Sequence, residues 1–72
     1  MMVEIFGKDE CPYCDFALKR AQKLNMDFTY KKLGKDFTRE ELFEQFPTAR
    51  TFPQIKVDGV SIGGWDQFKN IG

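Results

Sequence analysis

The chain has 72 residues, enough for one small domain whose core can draw on eight phenylalanines, two tyrosines and one tryptophan. Lysine plus arginine and aspartate plus glutamate both number 11, so charge gives no reason to expect nucleic acid or an anionic membrane as the main partner. Histidine is absent and there are two cysteines, which excludes Cys–His and Ser–His nucleophile pairs, histidine-ligated metals and a four-thiolate zinc site in one chain.

The chain also lacks the patterns of membrane insertion and secretion. No apolar run approaches the roughly 18 residues of a membrane helix, and the N-terminus has no basic-then-apolar signal pattern. We therefore expect a cytoplasmic protein. A single domain over residues 1–72 and a monomeric state are also expected.

The first half of the chain predicts a strand, a helix and a second strand. Residues 2–6 alternate apolar and polar before Gly7 ends the strand. Pro12 opens a helical pattern that ends near Asn25, with apolar residues at three- and four-residue steps. Residues 27–33 have the alternation of a second strand.

The second half predicts a helix, a hairpin and a final short helix. Residues 36–46 carry a Thr38-x-x-Glu41 capping box followed by apolar residues at helical spacing. Asp58-Gly59 suits a type I′ turn between strands over 52–57 and 60–63. The order β-α-β-α-β-β-α predicts an α/β fold with a four-stranded mixed sheet flanked by helices, in which the first two strands are parallel.

Both cysteines lie in "CPYC", residues 11–14, at the predicted start of the first helix. With Pro12 at the first helical position, Cys11 becomes the N-cap, and the N–H groups of Tyr13 and Cys14 face its sulfur. These amides and the helix dipole favour a thiolate, which predicts a pKa lowered from about 8.5 into the range of roughly 3.5 to 7.5. Cys14 lies one turn deeper, where it can attack a mixed disulfide formed at Cys11.

Two other interpretations of the cysteine pair stay open. One is a purely structural disulfide, which would add little stability because the closed loop is so short. The other is half of a zinc site shared between two chains. The order strand, loop, cysteine, proline, helix favours a redox pair over both.

Three stretches together resemble the glutaredoxin family: "CPYC" (11–14), "RTFPQI" (50–55) and "GGWD" (63–66). The resemblance implies a thioredoxin-like fold, reduction of disulfides at the expense of glutathione, and a cis peptide before Pro53. It implies a catalytic centre of Cys11, Cys14 and Pro53. The short chain resembles the compact glutaredoxins, including those of phages. The host cytosol is therefore the expected location if the chain is phage-encoded.

The resemblance also implies a set of residues that bind glutathione. Lys8 and Arg39 would attract the glycine carboxylate, although Arg39 requires a one-residue shift of the family pattern. The Phe52 backbone would pair with the cysteine of glutathione, and the amides after Gly63-Gly64 would hold the γ-glutamyl end. The full set of implied residues is Lys8, Tyr13, Arg39, Thr51, Phe52, Pro53, Gly64, Trp65 and Asp66.

Three further expectations concern partners and cofactors. Disulfide-containing proteins are the expected substrates, with ribonucleotide reductase as a family-level expectation. A flavoenzyme reductase, rather than glutathione, is the alternative source of electrons. The alternative function is binding of a 2Fe–2S cluster, which two chains would bridge through one Cys11 each and two glutathione thiolates.

Overall fold

The computed structural model describes residues 2–71, so both ends of the domain predicted over 1–72 lie outside the described residues. The predicted order of strands and helices is confirmed. The elements are β1 (Met2–Gly7), α1 (Pro12–Lys23), β2 (Asp27–Lys32), α2 (Arg39–Gln45), β3 (Gln54–Val57), β4 (Val60–Gly63) and α3 (Trp65–Phe68).

The four strands form one mixed sheet in the order β2-β1-β3-β4. β1 pairs with β2 in parallel, as the intervening helix requires, and both β1–β3 and β3–β4 are antiparallel. Asp58 and Gly59 both have positive φ, at 52° and 81°, in the predicted hairpin turn. β1 is therefore a central strand, and the loop after it carries the cysteine motif.

The core has two parts. The first is formed by α1, α3 and the sheet, with Val3, Ile5, Ala17, Ala21, Ile55 and Phe68 fully buried. The second lies under α2 and consists of Phe6, Phe37, Leu42 and Phe46. Phe6 contacts both Phe37 and Phe46 edge-on with ring centroids 5.2 Å apart, which fixes α2 against the end of β1.

Two apolar residues of the predicted helical stripes are not part of the core. Leu24 is exposed because α1 ends at Lys23 and the chain turns away at Asn25, whose φ is 54°. Phe43 is 46% exposed, while Leu42 and Phe46 of the same stripe are buried. None of the helices within residues 2–71 has the length and apolar character to cross a bilayer.

Candidate active site

The cysteine motif lies at the N-terminus of α1, with Pro12 at the first helical position and Cys11 as the N-cap. Cys11 has extended φ and ψ of −122° and 100°, and its Sγ accepts a hydrogen bond from the amide of Cys14 at 3.2 Å. Of the two amides predicted to face the sulfur, that of Cys14 makes the contact. The helix start therefore directs a backbone donor at the sulfur of Cys11.

Cys11 and Cys14 are joined in a disulfide, with their Cα atoms 5.2 Å apart. Cys14 is fully buried, whereas Cys11 retains 8% exposure. Cys11 also lines a shallow depression with Pro12 and Phe16, open to solvent. The sulfur that an external disulfide can reach is consequently that of Cys11.

Beside the motif lies a cleft of about 330 Å³, called the first cleft below. It is bounded by the end of the 49–52 loop, the first turn of α1 and the start of α3. Six residues that the resemblance assigns to glutathione line it together with Gln67: Tyr13, Thr51, Phe52, Gly64, Trp65 and Asp66.

The loop before β3 and the start of α3 approach closely, which closes one wall of the first cleft. The Phe52–Pro53 peptide is cis, as the resemblance implies, and Pro53 is buried. A Cβ placed on Gly64 would lie 3.0 Å from the Pro53 carbonyl oxygen, so a side chain there would push the two segments apart. Glycine at this position keeps Phe52 and Trp65 on the same cleft.

Lys8 and Arg39 lie outside the first cleft. The Nζ of Lys8 lies 5.4 Å from the ring centroid of Phe52. Arg39 borders a smaller cleft of about 130 Å³ on the other side of Phe52, called the second cleft below. Its lining is Arg39, Leu42, Phe43, Ala49, Arg50, Thr51 and Phe52, so Thr51 and Phe52 are shared by the two clefts.

Comparison with known proteins identifies the family to which the chain belongs. The family model described as Glutaredoxin matches residues 3–62. The chain belongs to the glutaredoxin family. It is a thiol-disulfide oxidoreductase of that family with a Cys-x-x-Cys redox pair at Cys11 and Cys14.

Solved glutaredoxins share the fold over nearly the whole chain. Reduced Escherichia coli glutaredoxin is 35% identical, with a TM-score of 0.80 over 96% of this chain and 89% of that one. Oxidised E. coli glutaredoxin is 32% identical, with a TM-score of 0.70 over the same shares. Glutaredoxin 1 from Francisella tularensis, solved in complex with cacodylate, is 25% identical, with a TM-score of 0.79 over 94% and 87%. The search of curated proteins gave no match.

Two residues of this glutaredoxin's site were not predicted from the sequence. The ring of Phe16 packs between Tyr13 and Trp65, with centroid distances of 5.8 Å to each. The i, i+3 spacing of Tyr13 and Phe16 on α1 indicates that the two rings can contact each other. Gln67 accepts a hydrogen bond from the Gly64 amide at 2.8 Å through its Oε1, which is the role of a glutamine at the third position of a helix.

Tyr30 reaches the back of the cysteine pair from β2. A Cβ placed on Gly7 would overlap the Tyr30 phenol and lie 3.2 Å from the Cβ of Cys14, so the hydroxyl and Cys14 border the same small space. Burial is the main cause that raises the pKa of Tyr30, and the negative charge of Asp15 adds to it. Nearby, the hydrogen bond with Asp9 raises the pKa of Lys32.

The residues present do not fit a metal cluster held by one glutaredoxin chain. Within residues 2–71, histidine, cysteine, aspartate and glutamate side chains form no group of three or more that could hold a metal ion. The two thiols the chain offers are joined to each other. A cluster would therefore need a second chain and the thiols of glutathione.

Proposed function

We propose that this glutaredoxin reduces protein disulfides and glutathione mixed disulfides, and that glutathione supplies the electrons. The observation that carries the proposal is the convergence of Tyr13, Thr51–Phe52 and Trp65–Asp66 on one cleft beside the reactive disulfide. These segments are far apart in sequence, and each bears a group that suits one part of glutathione.

The first half-reaction consumes the substrate disulfide. The Cys11 thiolate attacks one sulfur of the substrate, which forms a Cys11–substrate disulfide and releases the other substrate sulfur as a thiolate. The Cys14 thiolate then attacks Cys11, which forms the Cys11–Cys14 disulfide and releases the substrate fully reduced. Because Cys14 is completely buried behind Cys11, it reaches the intermediate from inside the protein.

The second half-reaction restores the dithiol. A glutathione thiolate attacks Cys11, which forms a mixed disulfide with glutathione and frees Cys14 as a thiolate. A second glutathione thiolate attacks the sulfur of the bound glutathione, which yields glutathione disulfide and the Cys11 thiolate. Two glutathione molecules are oxidised for each disulfide reduced.

The first cleft supplies complementary groups for glutathione. The amides of Trp65 and Asp66 begin α3 and have no partner within the helix, so they suit the γ-glutamyl carboxylate. The Asp66 carboxylate suits the ammonium group of the same residue. Its present partner is Lys69 at 3.5 Å, an exposed pair that a ligand displaces at little cost.

The other end of glutathione is directed toward the positive charges beyond Phe52. The backbone of Thr51 and Phe52, which bends ahead of β3, offers hydrogen-bonding groups to the cysteine of glutathione, as the resemblance implies. Lys8, whose ammonium lies beside the Phe52 ring, then faces the glycine carboxylate. Arg39 borders the second cleft and adds a second positive charge on that side.

The test compares three proteins with two substrates and two reductants. With glutathione as reductant, the wild type is expected to reduce both a glutathione mixed disulfide and the disulfides of insulin. Cys14→Ser should retain the first activity and lose the second, because the resolving thiol is gone. Cys11→Ser should lose both.

The reductants and the retained activities decide between the alternatives. Turnover with a flavoenzyme reductase and none with glutathione would overturn the proposal in favour of the other electron source. Retention of either activity by Cys11→Ser would show that the nucleophile is assigned to the wrong cysteine.

A further inference from the structure

The second cleft combines an apolar lining with positive charge, and in the proposed function glutathione uses the charge of Arg39 but not the apolar lining. Leu42 forms its buried floor, Phe43 is 46% exposed at its side, and Ala49 is half-buried. Glutathione ends in glycine, which has no side chain to fill an apolar space of about 130 Å³.

Two arginines border the same cleft. Arg39 and Arg50 are exposed, and neither belongs to any of the ion pairs found within residues 2–71. Two unpaired guanidinium groups beside an apolar floor complement a ligand with an apolar side chain and a nearby carboxylate.

The position of the second cleft says which part of a substrate reaches it. Thr51 and Phe52 form the wall that separates it from the first cleft. With the γ-glutamyl end in the first cleft, the peptide runs across Phe52 and its C-terminal direction leads into the second. Residues that follow a reacting cysteine therefore arrive there, at about 3.3 to 3.6 Å per extended residue.

We propose that the second cleft is a subsite for the segment that follows the reacting cysteine of a protein disulfide, and that it selects an apolar side chain next to an acidic one. The inference rests on the proposed function for the direction of the bound peptide. It goes beyond that function because it distinguishes among protein substrates that all contain a disulfide.

The test uses the Cys14→Ser protein and symmetric peptide disulfides, in which both halves are identical. The Cys11 thiolate attacks one sulfur, forms a Cys11–peptide disulfide and releases the other peptide as a thiolate. Three amidated peptides share Ala-Cys-Gly and end in Leu-Glu, Leu-Lys or Ser-Glu. Each rate is divided by the rate of the same disulfide with free glutathione, which removes differences in leaving-group reactivity.

We expect the Leu-Glu peptide to react about tenfold faster than the Leu-Lys peptide, a difference that corresponds to about 1.4 kcal/mol. It should react several-fold faster than the Ser-Glu peptide. Arg50→Gln should reduce the preference for Glu over Lys about threefold, and Phe43→Ser should reduce the preference for Leu over Ser. Lys23→Gln is the matched control, because it removes one exposed positive charge at the far end of α1. It should leave both preferences unchanged.

Equal normalised rates for the three peptides in the Cys14→Ser protein that carries no further substitution would overturn the proposal. An equal loss of preference in Arg50→Gln and Lys23→Gln would also overturn it, since the discrimination would then come from net charge. If the preferences hold while glutathione fails to reduce the Cys11–Cys14 disulfide, the subsite stands and the proposed reductant is wrong.

Discussion

Gly7, the last residue of β1, matters for the space it leaves rather than for its backbone conformation. It is buried, and the phenol of Tyr30 occupies the volume that a side chain at Gly7 would need. The same space is bordered by Cys14, at 3.2 Å from a Cβ placed on Gly7. The lack of a side chain at one strand position therefore determines how closely β2 approaches the cysteine pair.

We expect Gly7→Ala to lower the free energy of unfolding by about 1–3 kcal/mol, the usual cost of inserting a group into a packed region. Tyr30→Val removes the overlapping ring, so the double variant Gly7→Ala/Tyr30→Val should be more stable than the sum of the single effects indicates. Urea denaturation of the four proteins measures this coupling. Strict additivity would show that the Tyr30 ring moves aside freely.

The raised pKa of Tyr30 predicts a loss of stability in alkali. Because burial favours the neutral phenol in the folded protein, the unfolded chain releases the Tyr30 proton first as the pH rises above 10.0, the ordinary pKa of tyrosine. The unfolded state then binds fewer protons than the folded state, so the free energy of unfolding falls with rising pH in this window.

Tyr30→Phe should flatten that alkaline decline, because its side chain has no proton to lose. The measurement is the free energy of unfolding from pH 9 upward for both proteins, with absorbance of phenolate at 295 nm followed in parallel. Since the raised pKa of Lys32 contributes a decline in the same direction, a residual slope is expected in the variant. Identical slopes in the two proteins would contradict the role of Tyr30.

At the scale of elements, the start of α1 should control the reactivity of Cys11. The Cys14 amide, 3.2 Å from the Cys11 sulfur, is a donor that a thiolate accepts better than a thiol. In the reduced Cys14→Ser protein, iodoacetamide should therefore alkylate Cys11 with a pH midpoint below the value of about 8.5 for free cysteine. A midpoint equal to that of free cysteine would show that the helix start does not stabilise the thiolate.

Elements defined by short-range chemistry were predictable from the sequence. Thr38 and Glu41 form the predicted capping box, with both hydrogen bonds present at 3.2 and 2.9 Å. Asp58 and Gly59 make the predicted turn because their positive φ angles are a local requirement. Exposure was less predictable: Leu24 and Phe43 fit helical stripes, yet tertiary packing leaves both outside the core.

The candidate site belongs to the scale of the whole molecule, and hydrophobic periodicity gave no indication of it. The family resemblance supplied the residues of the first cleft, because Thr51 and Trp65, at the two ends of the β3–β4 hairpin, meet Tyr13 of α1 only in the folded molecule. Phe16 was not predicted because its contact with Trp65 forms only after folding. Gln67 bonds the amide of Gly64 three residues away, so its spacing in the sequence could have predicted its role. The second cleft was not predicted either, because α2 and the 49–52 loop form it only when they pack together.

The one-turn helix α3 depends on its attachment to the rest of the molecule. Phe68 is fully buried in the main core cluster and holds α3 against α1 and the sheet. Phe68→Ala should cost about 3–5 kcal/mol, a large share of the 5–15 kcal/mol that stabilises a typical domain. The short α3 should then lose its position, and with it the wall of the first cleft.

Thermal unfolding and glutathione turnover measure the two effects of Phe68→Ala. Val60→Ala is the matched control, because Val60 is 64% exposed on β4 and its truncation should change stability by less than about 0.5 kcal/mol. Equal melting temperatures for the two variants would show that α3 is held by other contacts.

The aromatic side chains at the first cleft include Trp65, the single tryptophan of the chain. Its indole is half-exposed and touches Phe16, so a molecule that enters the cleft replaces water on one face of the ring. Tryptophan fluorescence, excited at wavelengths that the two tyrosines do not absorb, consequently comes from one emitter at one known place. Changes in its emission wavelength and intensity follow occupancy directly, without a label and independently of any chemical turnover.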